Sequence, residues 1–193
     1  MKFFHLVLCC LSLAAGLAEA QPQRYELDPE HISLGFYVDH LGYAKVLGVF
    51  EDVQGSFTFD ETTGVVSDIA VQVDTASVYT SHERRDEHLR SGDFLDTRKH
   101  PGMSFTAAAA RRTGERSFEV DGELQLLGRT RPLTLSAQWN KSAAYPMGAR
   151  QYVIGVSAKG TLLRSDFGMD YGVEAGWVGD AVEFVIEFEA RRL

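Results

Sequence analysis

The chain has 193 residues, of which 45% are hydrophobic and 24% are charged, and its formal net charge is −8. These values are typical of a globular protein and exclude a disordered, collagen-like or coiled-coil chain. The acidic balance also argues against nucleic-acid binding, because phosphate groups would repel such a surface.

The first 20 residues have the pattern of a secretory signal peptide. Lys2 gives a short basic start, an apolar run covers residues 3–17, and residues 18–20 are Ala-Glu-Ala. We expect cleavage before Gln21, export to the periplasm or secretion, and one mature domain over residues 21–193. No later apolar run approaches the ~18 residues of a membrane span, so no stable membrane insertion is expected.

From Tyr25 onward the hydrophobic pattern has a period of two. Four clear runs carry this pattern, and their apolar members are Leu34, Phe36 and Val38; Ile69, Val71 and Val73; Leu133, Leu135, Ala137 and Trp139; and Val182, Phe184, Ile186 and Phe188. Because successive side chains of a strand point to opposite faces, each run predicts a strand with one buried face. Turn residues at 60–64, 112–115 and 176–180 separate the runs.

One segment interrupts the alternation. Residues 80–83 match a capping box with Thr80 as N-cap, which predicts a short helix that runs to about Ser91. The predicted helix is mostly charged and should lie outside the sheet, while Phe94-Leu95 should tuck under its rim. A second short segment outside the strands is expected at residues 163–171.

The runs amount to about eight or nine strands in up-and-down order, and the predicted fold class is an all-β antiparallel barrel. At about eight strands, a closed barrel either fills with side chains or holds one small ligand. Both a plain filled core and a long apolar cavity for a lipid-like guest fit this pattern.

Catalytic motifs are weak in this sequence. The closest match to a hydrolase nucleophile elbow surrounds Ser157 but lacks its final Gly and lies in a strand pattern. His82-Glu83 begins a zinc-binding helix motif, but Asp86 occupies the second His position. We therefore predict that the protein is not an enzyme and has no catalytic residues, no metal site and no cofactor.

Several segments together resemble the YceI-like family of exported lipocalin-like proteins. The clearest are Asp28-Pro29-Glu30-His31 before Leu34-x-Phe36-x-Val38-x-His40, Asp86-x-His88-Leu89-x-Ser91-x-Asp93-Phe94, and Arg164-Ser165-Asp166-Phe167-Gly168-Met169. The resemblance runs over nearly all of residues 24–190. It implies an eight-stranded lipocalin-like barrel, with one or two short helices at the rim, that binds a long lipid without catalysis.

The ligand class implied by the resemblance is an isoprenoid such as a quinone or a polyprenyl phosphate, or a fatty-acid-like amphiphile. Some family members are dimers, which leaves a homodimer open. We expect these side chains to line the cavity: Leu34, Phe36, Val38, Phe50, Phe57, Ile69, Val71, Phe94, Met103, Phe105, Leu124, Leu126, Leu135, Trp139, Ile154, Val156, Phe167, Met169, Phe184 and Ile186.

At the mouth of such a cavity, Arg164 and Asp166 are the expected contacts of a polar head group, with His88 and Arg85 as weaker candidates. The alternative is that Arg164 and Asp166 only cap the turn before Gly168. Two other functions are also kept open, namely a ligand-free stress-response or interaction protein and an enzyme that acts on such lipids.

Overall fold

The alternating runs form antiparallel strands in the computed structural model, which describes residues 21–193. The strands are β1 (Gln23–His40), β2 (Ala44–Phe50), β3 (Val53–Asp60), β4 (Val65–Asp74), β5 (Val78–Tyr79), β6 (Gly102–Arg112), β7 (Ser117–Leu126), β8 (Arg129–Ala144), β9 (Tyr152–Leu163) and β10 (Val178–Arg192). The described chain also has one α-helix, α1 (Glu83–Arg90), and two 3₁₀ turns, Thr75–Ser77 and Arg164–Phe167.

Eight of these strands close into a barrel. Around the barrel the order is β1, β3, β4, β6, β7, β8, β9 and β10, and β10 pairs antiparallel with β1 to complete the ring. In this closing pair Leu34 lies opposite Ile186, and Phe36 lies opposite Phe184. The predicted all-β, eight-stranded antiparallel barrel is therefore confirmed.

The length of β1 explains the two additional strands. Its first residues, 23–26, pair with β3, whereas residues 34–40 pair with β2. β2 therefore prolongs the line of β3 toward the end of the barrel that carries α1, which we call the upper end. β5 adds two residues beside β2, with Val49 opposite Tyr79.

The inward-facing side chains form two clusters stacked along the barrel. The cluster toward the upper end includes Leu34, Leu135 and Phe184, and the lower cluster is built around Tyr25 and Phe59. Because alternate residues of each strand reach the interior, a single strand contributes to both clusters at different heights.

The helix begins later than the capping box predicts. Its N-cap is His82, whose Nδ1 accepts a hydrogen bond from the Arg85 amide at 3.4 Å. Thr80 is instead held by the buried carboxylate of Asp86, which accepts from the Thr80 amide at 2.8 Å and from its hydroxyl. The prediction of Thr80 as N-cap is wrong, because its hydroxyl donates to Asp86 and accepts from the Arg85 side chain at 2.7 Å instead of accepting from a helix amide.

The other irregular segments agree with the sequence predictions. Phe94 and Leu95 are buried beneath the rim, and the turn Arg164–Phe167 falls within the predicted segment 163–171. The last predicted turn is shorter than expected, since β10 already begins at Val178.

Within residues 21–193, no helix has both the length and the apolar character that a bilayer span requires. The predicted signal peptide, residues 1–20, lies outside the described residues.

Candidate functional site

The upper part of the barrel encloses a cavity of about 660 Å³, here called the outer cavity. It reaches the surface at the upper end, where the lining residues Leu41 and Trp177 are 45% and 54% exposed. Fifteen of the side chains expected at the site line it: Leu34, Phe36, Val38, Phe50, Val71, Phe94, Met103, Phe105, Leu124, Leu126, Leu135, Arg164, Met169, Phe184 and Ile186.

A second, smaller cavity of about 120 Å³ lies below the first and is called the inner cavity. Five of the expected residues line only this cavity: Phe57, Ile69, Trp139, Ile154 and Val156. Its lining is almost wholly apolar, with Ser56 as its one residue that has a polar side chain other than Trp139. The indole Nε1 of Trp139 is buried without a hydrogen-bond partner among the described residues.

Three of the large aromatic rings that line the outer cavity lie against its wall. Each ring covers an inward-facing glycine on a neighbouring strand, and the pairs are Phe36 over Gly48, Phe105 over Gly122, and Phe184 over Gly160. A Cβ atom on these glycines would lie only 2.2, 2.4 and 2.6 Å from the ring Cζ atoms, respectively. Any larger side chain at these positions would push the ring toward the lumen.

The lower end of the barrel is closed by a polar network. The carboxylate of Glu61 accepts hydrogen bonds from the hydroxyls of Tyr25 at 2.9 Å, Tyr152 at 3.0 Å and Ser142 at 2.5 Å. Burial and the neighbouring Glu61 raise the pKa of the Tyr25 hydroxyl, so it remains a hydrogen-bond donor at neutral pH. Together with the buried Ile154, these residues seal the lumen from below.

Arg164 lines the outer cavity but is already engaged. It is 1% exposed, and its guanidinium donates to the carbonyl oxygens of Met169 and Gly179 at 2.7 Å and of Tyr171 and Val178 at 2.8 Å. Burial lowers the pKa of this guanidinium, while nearby carboxylates oppose that effect. Arg164 therefore has a structural role, but its guanidinium binds the loop after Gly168 and the start of β10 rather than capping the turn before Gly168.

Two expected site residues lie outside both cavities. Asp166 is exposed on the 3₁₀ turn, and Phe167 is buried in the upper core cluster instead of facing the lumen. Residues 163–171 are expected to lie outside the strands, and in a 3₁₀ turn hydrophobic alternation does not indicate which side chains face the lumen. The expectation that these two side chains line the cavity does not hold for either cavity.

The two weaker mouth candidates both border the outer cavity. Arg85 donates to the hydroxyl and the carbonyl of Thr80 at 2.7 and 2.6 Å. His88 lies 2.9 Å from the carboxylate of Asp93, and its ring packs edge-on against Tyr171. Both side chains are therefore fixed in place at the upper end.

The sequence prediction missed some lining residues. Several follow the same alternation and could have been included: Val46, Val73, Leu133, Leu162 and Val182. Leu41, Tyr171 and Trp177 come instead from loops, where hydrophobic periodicity carries no signal.

A cluster outside the cavities joins β1 to β10. Asp28 is buried and accepts from Arg191 at 2.6 and 2.9 Å and from His31 Nδ1 at 2.9 Å. Although burial alone would raise it, the pKa of Asp28 is lowered by hydrogen bonds from His31, the Glu30 amide and Arg191. The hydrogen bond to Asp28 in turn raises the pKa of His31.

Asp28, Glu30 and His31 are close enough together to hold a metal ion. A cation would have to displace the Arg191 guanidinium from the Asp28 carboxylate, so we interpret the cluster as an ion-pair network. Its role is to stabilise the barrel where β1 bulges between Leu27 and Ile32.

Comparisons with known proteins find relatives over most of the chain. A family model described as the YceI-like domain matches residues 25–190. The Escherichia coli protein YceI is 34% identical over 184 residues, which cover 95% of this chain and 94% of that protein.

Solved structures share the architecture. A Campylobacter jejuni YceI protein superposes with a TM-score of 0.71 at 28% identity, covering 79% of this chain and 88% of that chain. A polyisoprenoid-binding domain from Saccharophagus degradans superposes with a TM-score of 0.65, covering 88% of this chain and 98% of that chain. At 17% identity, this second likeness shows the fold alone.

Proposed function

The chain belongs to the YceI-like family, and from this premise we propose that its barrel binds one long-chain isoprenoid or a similar amphipathic lipid. The observation that carries the proposal is the outer cavity of about 660 Å³, which is lined mostly by apolar side chains and reaches the surface at the upper end. Its volume lies within the range of about 300–1,000 Å³ typical of small-molecule sites. A hydrocarbon chain is the ligand class that suits such a lumen.

The binding energy would come from removing the hydrocarbon from water. Each buried methylene contributes about 0.8 kcal/mol before the chain's ordering is counted, so several isoprene units suffice for tight binding. The polar lining side chains Asp39, His40, Arg85 and His88 lie at the upper end. A quinone ring, a phosphate or a carboxylate would therefore stay at the mouth while its tail enters the barrel.

A binding role is favoured over catalysis by the contacts of the polar side chains at the mouth. Arg85 is held by Thr80, and Arg164 is held by backbone carbonyls. Both side chains therefore stabilise the fold at the mouth. The fold shared with a polyisoprenoid-binding domain is consistent with this assignment. The ligand-free alternative required a packed barrel, which the outer cavity does not favour.

We place this activity outside the cytoplasm, because residues 1–20 have the pattern of a secretory signal. In the periplasm, a protein of this kind would carry, store or scavenge a lipid that is insoluble by itself. A tail enclosed by the barrel needs neither a metal nor a cofactor to bind.

Two neighbouring leucines of β9 provide a matched test. Leu162 lines the outer cavity, whereas Leu163 is 46% exposed on the opposite face. We expect Leu162→Trp to reduce the lipid that co-purifies with the protein at least about tenfold by occupying space in the lumen, and Leu163→Trp to leave it unchanged. Native mass spectrometry and organic extraction of both variants measure the effect, and equal lipid loads in the two would contradict the proposal.

A further inference from the structure

The two cavities are stacked along the barrel axis. On β1, the outer cavity is lined from Leu34 upward and the inner cavity from Leu34 downward. On β10, Ile186 is the corresponding boundary, with Phe184 above it and Phe188 below. A chain that enters from the mouth and runs along the axis therefore meets the outer cavity first.

Five side chains border both cavities and separate them: Leu34 on β1, Val71 on β4, Phe105 on β6, Leu135 on β8 and Ile186 on β10. We call them the floor ring. All five are apolar, so only packing, with no side-chain hydrogen bond, holds the ring in place. Rotamer changes of such side chains can open a passage of the width of a hydrocarbon chain.

The volumes of the two cavities limit the length of the hydrocarbon chain that the barrel can hold. An apolar cavity of ~150 Å³ accommodates one benzene molecule, so a carbon atom with its hydrogens needs ~25 Å³. On this scale the outer cavity of about 660 Å³ holds about five isoprene units. The inner cavity of about 120 Å³ holds one more.

The lumen ends below the inner cavity. Tyr25 and Phe59 are 0% and 1% exposed there, and the hydrogen bonds of Glu61 lock the lower end. A longer tail would have to break this network to advance further. The available length is therefore bounded by the fold itself.

We propose, building on the lipid-binding function above, that the floor ring and the inner cavity set the chain length of the ligand. The outer cavity takes about five isoprene units, the terminal sixth unit passes the floor ring into the inner cavity, and units beyond the sixth remain outside the barrel.

The test uses linear all-trans prenols of three to eight isoprene units, presented together in detergent micelles to delipidated protein. Units that leave the micelle without entering the barrel are exposed to water, which disfavours binding by at least about tenfold per unit. Native mass spectrometry then reads which prenols are bound. We expect a maximum at five to six units and a steep fall at seven and eight.

Variants of two alanines test the inner cavity directly. Ala158 lines only the inner cavity, while Ala70 is exposed on β4. Ala158→Leu adds three carbons to a space of about 120 Å³, so we expect the maximum to move down by one unit. Ala70→Leu, the matched control, should leave the distribution unchanged.

The outcomes separate the two proposals. Prenols bound without a maximum at five to six units, or a maximum that Ala158→Leu does not move, would overturn the length selection while leaving lipid binding intact. If the wild-type protein binds no prenol of any length and no other long-chain lipid, the proposed function itself fails.

Discussion

At the scale of single residues, the lumen depends on three glycines, because glycine has no Cβ atom. The rings of Phe36, Phe105 and Phe184 lie flat because no Cβ atom stands beneath them. Large aromatic residues in a barrel of this size would otherwise be expected to fill it. An inward-facing glycine beside an aromatic residue of the neighbouring strand therefore leaves space in the lumen for a ligand.

Two glycines of β9 allow this idea to be tested. A Cβ at position 160 would meet the Phe184 Cζ atom at 2.6 Å, whereas one at position 155 would have only the Lys141 carbonyl oxygen nearby, at 4.0 Å. We expect Gly160→Ala to push the Phe184 ring into the lumen, to lower the bound lipid several-fold and to destabilise the fold by about 1–3 kcal/mol.

The control for this prediction is Gly155→Ala, which should retain both the lipid and the stability of the wild-type protein. Urea unfolding and extraction of bound lipid measure the two quantities. A Gly160→Ala protein with its full lipid load would show that the ring orientation does not limit the cavity.

At the scale of the elements, closure of the barrel rests on the pairing of β1 with β10. Within this pair, the four residues 28–31 of β1 have no register partner between Leu27 and Ile32. The contact of Asp28 with Arg191 bridges this irregular stretch with two hydrogen bonds. The ion pair therefore supports the ladder at the point where the bulge weakens it.

The shifted pKa values predict how this contact depends on pH. The pKa of Asp28 is lower in the folded protein than in the unfolded chain, so its contribution is complete above the unfolded value of 3.8 and is lost as pH falls through the folded pKa. His31 has a raised pKa, so its contribution is complete below its unfolded value of 6.5 and is lost as pH rises through the folded pKa.

We therefore expect Asp28→Asn to reduce the free energy of unfolding by about 1–3 kcal/mol at neutral pH. The difference from wild type should shrink as Asp28 becomes protonated in acid. Urea unfolding of both proteins between about pH 3 and pH 8 checks this. A difference that is constant over the whole range would rule out a charged Asp28 as the source.

At the scale of the whole molecule, an open apolar lumen lowers the stability of the barrel. A cavity forgoes the packing that a filled core would provide, so the empty protein should be less stable than the occupied one. A ligand that binds only the folded state restores stability by mass action. Thermal stability is therefore a direct measure of occupancy.

Removal of bound lipid should lower the melting temperature by about 5–10 °C, and a prenol of six units at about 100 times its Kd should restore it. Differential scanning calorimetry of extracted and reloaded protein measures the change. The Leu162→Trp variant, whose lumen is obstructed, is the control and should respond little. Equal melting temperatures for empty and reloaded wild-type protein would contradict an occupied lumen.

Features that depend on the local alternation of apolar residues could be predicted from the sequence, whereas features of irregular segments could not. The alternating pattern predicts the antiparallel barrel correctly, and twenty of the 22 expected site residues line a cavity. Most of these residues lie on strands, where alternation is a local property. The errors fall in irregular segments. Thr80 is predicted to cap the helix but binds Asp86 instead. Asp166 and Phe167 lie in a 3₁₀ turn, where alternation does not indicate which side chains face the lumen.

The sequence by itself determined which side chains face inward, because an extended chain must place alternate residues on opposite faces. Only the tertiary structure decided that the interior is hollow, since this depends on rings and glycines brought together from different strands. It likewise decided that Arg164 clamps a loop and that Asp28 meets Arg191 from 163 residues away. Contacts between distant segments leave no pattern in the local sequence. These contacts determine whether the interior of the barrel is a cavity or a packed core.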